Sequence, residues 1–117
     1  MSKFRFVSAN YDSSTSVHAC VRVRMTIDGG QKVATGEHRD KFAASPFKAA
    51  QHAVFQLTGL RPDISGSICT VGGGREKCAA EVHLTIKKNR QRIVGKAEHS
   101  DSFQAEVAAY INALNQL

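Results

Sequence analysis

The stretch Val17-His18-Ala19-Cys20-Val21-Arg22-Val23-Arg24-Met25-Thr26-Ile27, followed at once by Asp28-Gly29-Gly30, decides the fold. Val17, Ala19, Val21, Val23, Met25 and Ile27 alternate with His18, Cys20, Arg22, Arg24 and Thr26. A period of two puts the apolar set on one face of a β-strand and the polar set on the other, so this segment predicts a strand with one core face and one wet face. Asp-Gly is a preferred pair for the tight turn of an antiparallel hairpin, and Gln31 to Gly36 is the expected return strand.

Working outward, the second half repeats the plan. Val82, Leu84 and Ile86 alternate with Glu81, His83, Thr85 and Lys87; Lys88-Asn89-Arg90 is the expected turn, and Arg92 to Ala97 returns. Each hairpin leads into a matching signature, Gly36-Glu37-His38-Arg39-Asp40 and Ala97-Glu98-His99-Ser100-Asp101. A helix follows each. The first starts near Ser45-Pro46, because serine caps exposed N–H groups and proline is tolerated at the first helical position. Ala49, Ala50, Ala53, Val54 and Leu57 form its buried stripe, and Gly59 ends it. Small alanines let such a helix lie close to a sheet. The second starts after Asp101 or Ser102, with Phe103, Val107, Tyr110, Ile111 and Leu114 at helical spacing and Leu117 extending the line. Phe4 and Phe6 mark an opening strand, with Ile64, Ile68 and Thr70 as its counterpart. Polar loops follow at Tyr11–Ser16 and at Gly72-Gly73-Gly74-Arg75-Glu76-Lys77. The expected architecture is therefore α+β: duplicated β-β-β-α units, antiparallel sheets with two helices packed on them, in a single domain 1–117 with internal repeats of about 1–58 and 59–117.

Composition bounds the function. A chain of 117 residues, 42% hydrophobic and 22% charged, has an ordinary globular balance. It contains no apolar run of 18 residues, so no membrane helix is expected. The opening Met1-Ser2-Lys3-Phe4-Arg5-Phe6 lacks the apolar stretch of a secretory signal. Cys20, Cys69 and Cys78 are an odd number without CxxC spacing, which fits free thiols in a reducing cytoplasm better than disulfides or zinc. The formal charge of +6 brings polyanions into consideration.

The tail carries a resemblance. Asp101-Ser102-Phe103-Gln104-Ala105-Glu106-Val107-Ala108-Ala109-Tyr110-Ile111-Asn112-Ala113-Leu114-Asn115 resembles the closing helix of the regulatory, or allosteric dimerisation, domain of 2-isopropylmalate synthase and citramalate synthase. The matching positions are Asp101, Ala105, Ala109, Tyr110, Ala113, Leu114 and Asn115. Ser45-Pro46-Phe47-Lys48-Ala49 looks like the same family's Gly-Pro-Val-Asp-Ala segment. The resemblance implies a module that forms a homodimer, binds leucine, isoleucine or a related carboxylic acid as an effector, and works with a synthase catalytic partner. The catalytic barrel of such enzymes needs about 250 residues, so no acyl-transfer activity is expected of this chain. Ser45 and Lys48 replace the family's glycine and aspartate, and Glu106 its tail serine; the charge reversal at Lys48 bears on recognition of an α-amino group.

The candidate ligand-binding residues are Ser45, Pro46, Phe47 and Lys48 at one helix start and Ser100, Asp101 and Ser102 at the other, where backbone N–H groups can receive a carboxylate. Gly72-Gly73-Gly74 lacks the lysine and serine of a phosphate loop, and no cofactor motif is present. His38 with Asp40 and His99 with Asp101 form two His-x-Asp pairs, too few ligands for a metal site and better suited to hydrogen bonding and capping. No nucleophile, base and orienting acid occur as a set. Two alternatives stand beside the regulatory reading. One is a nucleic-acid-binding domain using a basic strip of Arg22, Arg24, His83, Lys87, Lys88, Arg90 and Arg92, with a faint likeness of the β-β-α segment to double-stranded-RNA-binding domains. The other is a purely structural protein-interaction domain.

Overall fold

The computed structural model describes residues 3–71, 78–86 and 91–117. Its elements run β1 (Phe4–Ser14), β2 (His18–Ile27), β3 (Gly30–Arg39), α1 (Pro46–Thr58), β4 (Asp63–Val71), β5 (Cys78–Ile86), β6 (Gln91–His99) and α2 (Ser102–Leu114). Three strands and a helix, given twice, is the α+β plan expected from the patterning. The strands form two sheets, β1-β2-β3 and β4-β5-β6. The expected turn at Lys88-Asn89-Arg90 and the loop 72–77 lie outside the described residues.

The chain divides into two compact units, residues 7–61 and residues 62–117 with 1–6. In the first, β2 and β3 pair antiparallel from His18↔Arg39 to Ile27↔Gly30. Asp28 (φ 50°) and Gly29 (φ 85°) supply the left-handed turn that matches strand twist. Ala19, Val21, Val23 and Met25 are fully buried, on the face where α1 contributes Ala49, Ala50, Ala53 and Val54. Each of the larger side chains stabilises the unit by about 1.5–3 kcal/mol at most. In the second unit Ala80, Val82, Leu84 and Ile93 face the core, and α2 lies on β5 and β6.

A glycine lies at the closest helix–strand approach in each unit. A Cβ on Gly36 would run into the backbone of Ala49 and Ala53, and one on Gly95 into that of Ala109 and Ala113. Helix backbone sits directly on strand backbone there, which only glycine below and alanine above allow. Side chains then tie each helix to the outer strand at matched points. Gln56 Nε2 donates to Thr35 O, and Gln116 Nε2 to Val94 O, both at 2.8 Å. His52 Nδ1 accepts from Glu37 N (3.1 Å), while Asn112 Nδ2 donates to Lys96 O (2.8 Å). Gly36 and Gly95 are therefore equivalent, as are 52 with 112 and 56 with 116.

That equivalence corrects the matching signature read from sequence. Counted from the glycine, His38 is two residues on and His99 four, so the two His-x-Asp pairs are not structural counterparts. The helices are also offset: the cradle alanines are the fourth and eighth residues of α1 but the eighth and twelfth of α2. The second helix thus starts one turn earlier relative to its sheet.

Three smaller expectations change. The polar run from Tyr11 is strand to Ser14 rather than loop. Its polarity is explained by partners across the sheet, on β2 and β3: Asp12 lies 3.3 Å from Arg22 Nη2 and accepts from Thr35 Oγ1. Val17, read as inward, lies before β2 and is 46% exposed. Leu117 does not extend the helical stripe, because α2 ends at Leu114 and Leu117 is exposed.

Candidate functional site

Both helix starts form where the sequence places them, each within its own unit. Ser45 is the N-cap of α1: its backbone is extended (φ −102°, ψ 115°), its Oγ accepts from Lys48 N at 3.2 Å, and Pro46 follows as the first helical residue. Phe47 and Lys48 complete that turn. No acidic residue lies in it, so the partial positive charge of the helix end meets a neutral cap and a lysine. Asp101 is the N-cap of α2, and its Oδ1 accepts from Gln104 N at 3.0 Å. Ser100 and Ser102 flank it, both exposed. A carboxylate built into the chain therefore already occupies the second helix end, and the two starts differ in sign.

The histidines hold these caps. His38 Nδ1 accepts from the backbone N–H of Ser45 (2.8 Å), and His99 Nδ1 from that of Asp101 (3.0 Å). In each case an imidazole lone pair satisfies the amide of the capping residue, which places the ring proton on Nε2. The capping role foreseen for the histidines is thus performed from non-equivalent positions. Asp40 does something else. Its Oδ1 accepts from Phe42 N (2.8 Å) and Ala43 N (3.2 Å), and these backbone N–H groups hold its carboxyl below the usual carboxylate range. The loop before α1 is further tied by Asp40 N to Val17 O (3.0 Å) and Ala44 N to Ser16 O (2.9 Å). It is a fixed structure, four residues longer than the connection before α2.

The sequence pattern gives Asn115 no role beyond its place in the tail. Its side chain donates to Phe4 O and accepts from Phe4 N, both at 2.7 Å, so one amide copies a strand partner and fixes the first residue of β1. The signal available was its position just past a helix end; its partner, 111 residues away, was not legible.

The described residues of the expected basic strip fall on both sheets. Arg22 and Arg24 belong to the first sheet and His83 and Arg92 to the second. Arg22 pairs with Asp12, while Glu81 lies 3.5 Å from His83 Nε2 and 3.4 Å from Lys96 Nζ. Lys87, Lys88 and Arg90 fall outside the described residues. Carboxylates interleaved with cations lower the field that phosphate binding requires.

Burial, followed by the nearby Asp12 and Glu37 carboxylates, pushes the Cys20 thiol above its ordinary value, which keeps it protonated and weakly nucleophilic. His18 Nε2 lies 3.6 Å from Glu37 Oε1, beyond hydrogen-bond range. Among the described residues no three His, Cys, Asp or Glu side chains cluster as metal ligands. None of the described helices is long and apolar enough to cross a membrane.

Comparison with known proteins supplies the decisive observation. Residues of this chain are 36% identical over 75 positions to 2-isopropylmalate synthase of Solidesulfovibrio magneticus, covering 63% of this chain and 14% of that enzyme. Over 106 positions the identity to the Nitratidesulfovibrio vulgaris synthase is 28%, covering 90% and 20%. The chain is similar to a part of 2-isopropylmalate synthase. A third synthase, from Syntrophus aciditrophicus, is 32% identical over 76 residues, covering 65% of this chain and 15% of its own length. The chain thus spans a fifth or less of the synthases it matches, and the resemblance read from the tail is borne out. No family model matches the chain.

Proposed function

We propose that this chain is a non-catalytic regulatory module of the 2-isopropylmalate synthase type, which self-associates as a homodimer and binds a small carboxylate or branched-chain amino acid. The observation that carries the reading is the homology to so small a part of the synthases. A stretch of this length has no room for a catalytic barrel of about 250 residues. The duplicated β-β-β-α plan supports it.

The start of α1 has the sign to receive a carboxylate. Its cap is neutral, its first turn lacks acids, and Lys48 adds a positive charge. The start of α2, already bearing Asp101, favours a cationic group such as an ammonium. Lys48 selects for the acid end of an effector, so simple carboxylic acids compete with amino acids at α1. The module acts on a synthase catalytic partner.

Isothermal calorimetry with leucine, isoleucine and short branched carboxylic acids tests this reading. Saturable heat that disappears in Lys48→Glu is the expected result. Neither heat nor thermal stabilisation with any of them removes the effector role.

A further inference from the structure

Two histidines tie α1 to its sheet in the first unit, and both do so through a lone pair. His38 Nδ1, on β3, accepts from Ser45 N (2.8 Å), and His52 Nδ1, on α1, accepts from Glu37 N (3.1 Å). An imidazole that takes up a proton carries N–H on both nitrogens, so neither ring can accept once it is charged. The same event acts in reverse at His18. Its Nε2 makes no hydrogen bond and lies 3.6 Å from Glu37 Oε1, a contact that gains attraction only with a charged ring. Glu37 is thus reached from two sides, its backbone N–H by His52 and its carboxylate by His18.

The second unit does not repeat this arrangement. Position 112, the counterpart of 52, is an asparagine whose Nδ2 donates to Lys96 O (2.8 Å), a tie without a titrating atom. Gln56 and Gln116 hold matched points in both units and do not titrate either. The charges around the rings of the first unit come from several elements. Asp40 interacts with both His38 and Lys48, and Lys48 lies about one turn before His52 on α1. Arg39 is the register partner of His18, and Asp12 and Arg22 act with Glu37 on the neighbouring Cys20. Attraction from Asp40, Glu37 and Asp12 and repulsion from Lys48, Arg39 and Arg22 therefore both act on an imidazolium here.

We infer that the first unit carries an acid-operated release of α1. Protonation of His38 and His52 frees the Ser45 and Glu37 amides, while protonated His18 draws the Glu37 carboxylate toward β2. Neutral rings hold the start of α1 and its following turn against β3. Charged rings leave those two amides to water, and the helix is then kept by Gln56 and by the buried Ala49, Ala50, Ala53 and Val54. The release is local, because that apolar face does not titrate. Imidazole is the side chain whose charge ordinarily changes between about pH 5 and 8, so mild acid is the input. The device stands apart from the effector reading: it needs no ligand, and it makes the order of the α1 start depend on pH.

The test takes the ¹⁵N-labelled full chain from about pH 7.5 to about pH 5. Amide shifts, hydrogen exchange corrected for its intrinsic pH dependence, and the imidazole resonances are read together. The expected result is a loss of protection at the Ser45 and Glu37 amides of roughly tenfold or more. Their shifts follow the His38 and His52 rings, while the Val21 and Val23 amides in the central strand keep their protection. Asparagine offers an Oδ1 acceptor that takes up no proton in this range. His38→Asn therefore removes the pH dependence at Ser45, and His52→Asn that at Glu37. Protection at Ser45 and Glu37 that does not change with pH overturns the release, as does pH dependence that persists in the asparagine variants. An equal loss at Val21 and Val23 also overturns it, since the event is then global unfolding. Should a variant misfold, the wild-type midpoints decide: coincidence of each amide with its ring supports the release, and divergence overturns it.

Discussion

Replacing Gly36 or Gly95 with alanine tests the feature on which each unit is assembled. The change adds one methyl group, and at Gly95 it would stand 2.6 Å from the Ala113 Cβ and 2.5 Å from Ala113 N. Carbon atoms rest at about 3.5–4.0 Å, so the helix must retreat by roughly 1 Å along its contact with the strand. Neither neighbour can swing away, because the obstructing atoms are helix backbone and a side chain with no rotamers. The retreat also stretches the Gln116–Val94 and Asn112–Lys96 hydrogen bonds, both now 2.8 Å. Overpacking of this kind costs about 1–3 kcal/mol, and backbone obstruction places it at ~3 kcal/mol for each glycine. Gly66→Ala is the control: nothing lies within 4 Å of its added methyl and its φ is not positive, so the change is neutral or stabilises by up to ~1 kcal/mol. Urea unfolding followed by circular dichroism measures all three. A loss below ~0.5 kcal/mol in both Gly36→Ala and Gly95→Ala, within the range of an ordinary surface change, refutes the close helix–strand contact.

Three further outcomes follow from the side-chain ties. Asn115→Leu removes both bonds to Phe4 and lowers stability by about 1–3 kcal/mol, with faster amide exchange at the start of β1 as the local signature. His38→Ala leaves the Ser45 amide without its acceptor and costs ~1–3 kcal/mol, while Ser45→Ala costs ~1 kcal/mol by loss of the cap; chemical denaturation separates them. Glu106 is half-buried on α2, and burial raises its carboxyl pKa above the ordinary value. A folded-state pKa above the unfolded one means the folded chain holds the proton more tightly. Stability is therefore full below the unfolded pKa and falls as pH rises through the raised one. Glu106→Gln accordingly stabilises at pH 7, by less than ~1 kcal/mol because water still reaches the group, and this gain vanishes in melts at or below about pH 4.

Much of the fold was legible because its signals are local. The period-two run of β2, the Asp28-Gly29 turn, the Ser45-Pro46 start and the Gly59 stop each encode a backbone geometry within a few residues. The α1 cap at Ser45 and the α2 cap at Asp101 were readable for the same reason. What escaped depends on register between elements. The likeness of Gly36–Asp40 to Ala97–Asp101 suggested equivalent histidines, but equivalence is set by which glycine lies beneath the helix. Gly36 and Gly95 are 59 residues apart, whereas His38 and His99 are 61. The polar Tyr11–Ser14 run was read as loop because its composition resembles one; Asp12, bound by Arg22 and Thr35 across the sheet, shows that polar residues can belong to the open face of a strand. The pairing of Arg22 with Asp12 and of Lys96 with Glu81 was likewise not legible, because it depends on register between strands.

The effector role is tested most directly by titrating leucine, isoleucine and short branched carboxylic acids into ¹⁵N-labelled protein and following the backbone amides of 47–49. Saturable shifts centred on those amides, lost in Lys48→Glu, are what a carboxylate seated at the start of α1 produces. Unmoved amides up to roughly 10 mM ligand, well past an affinity of about −4 kcal/mol, would contradict the account.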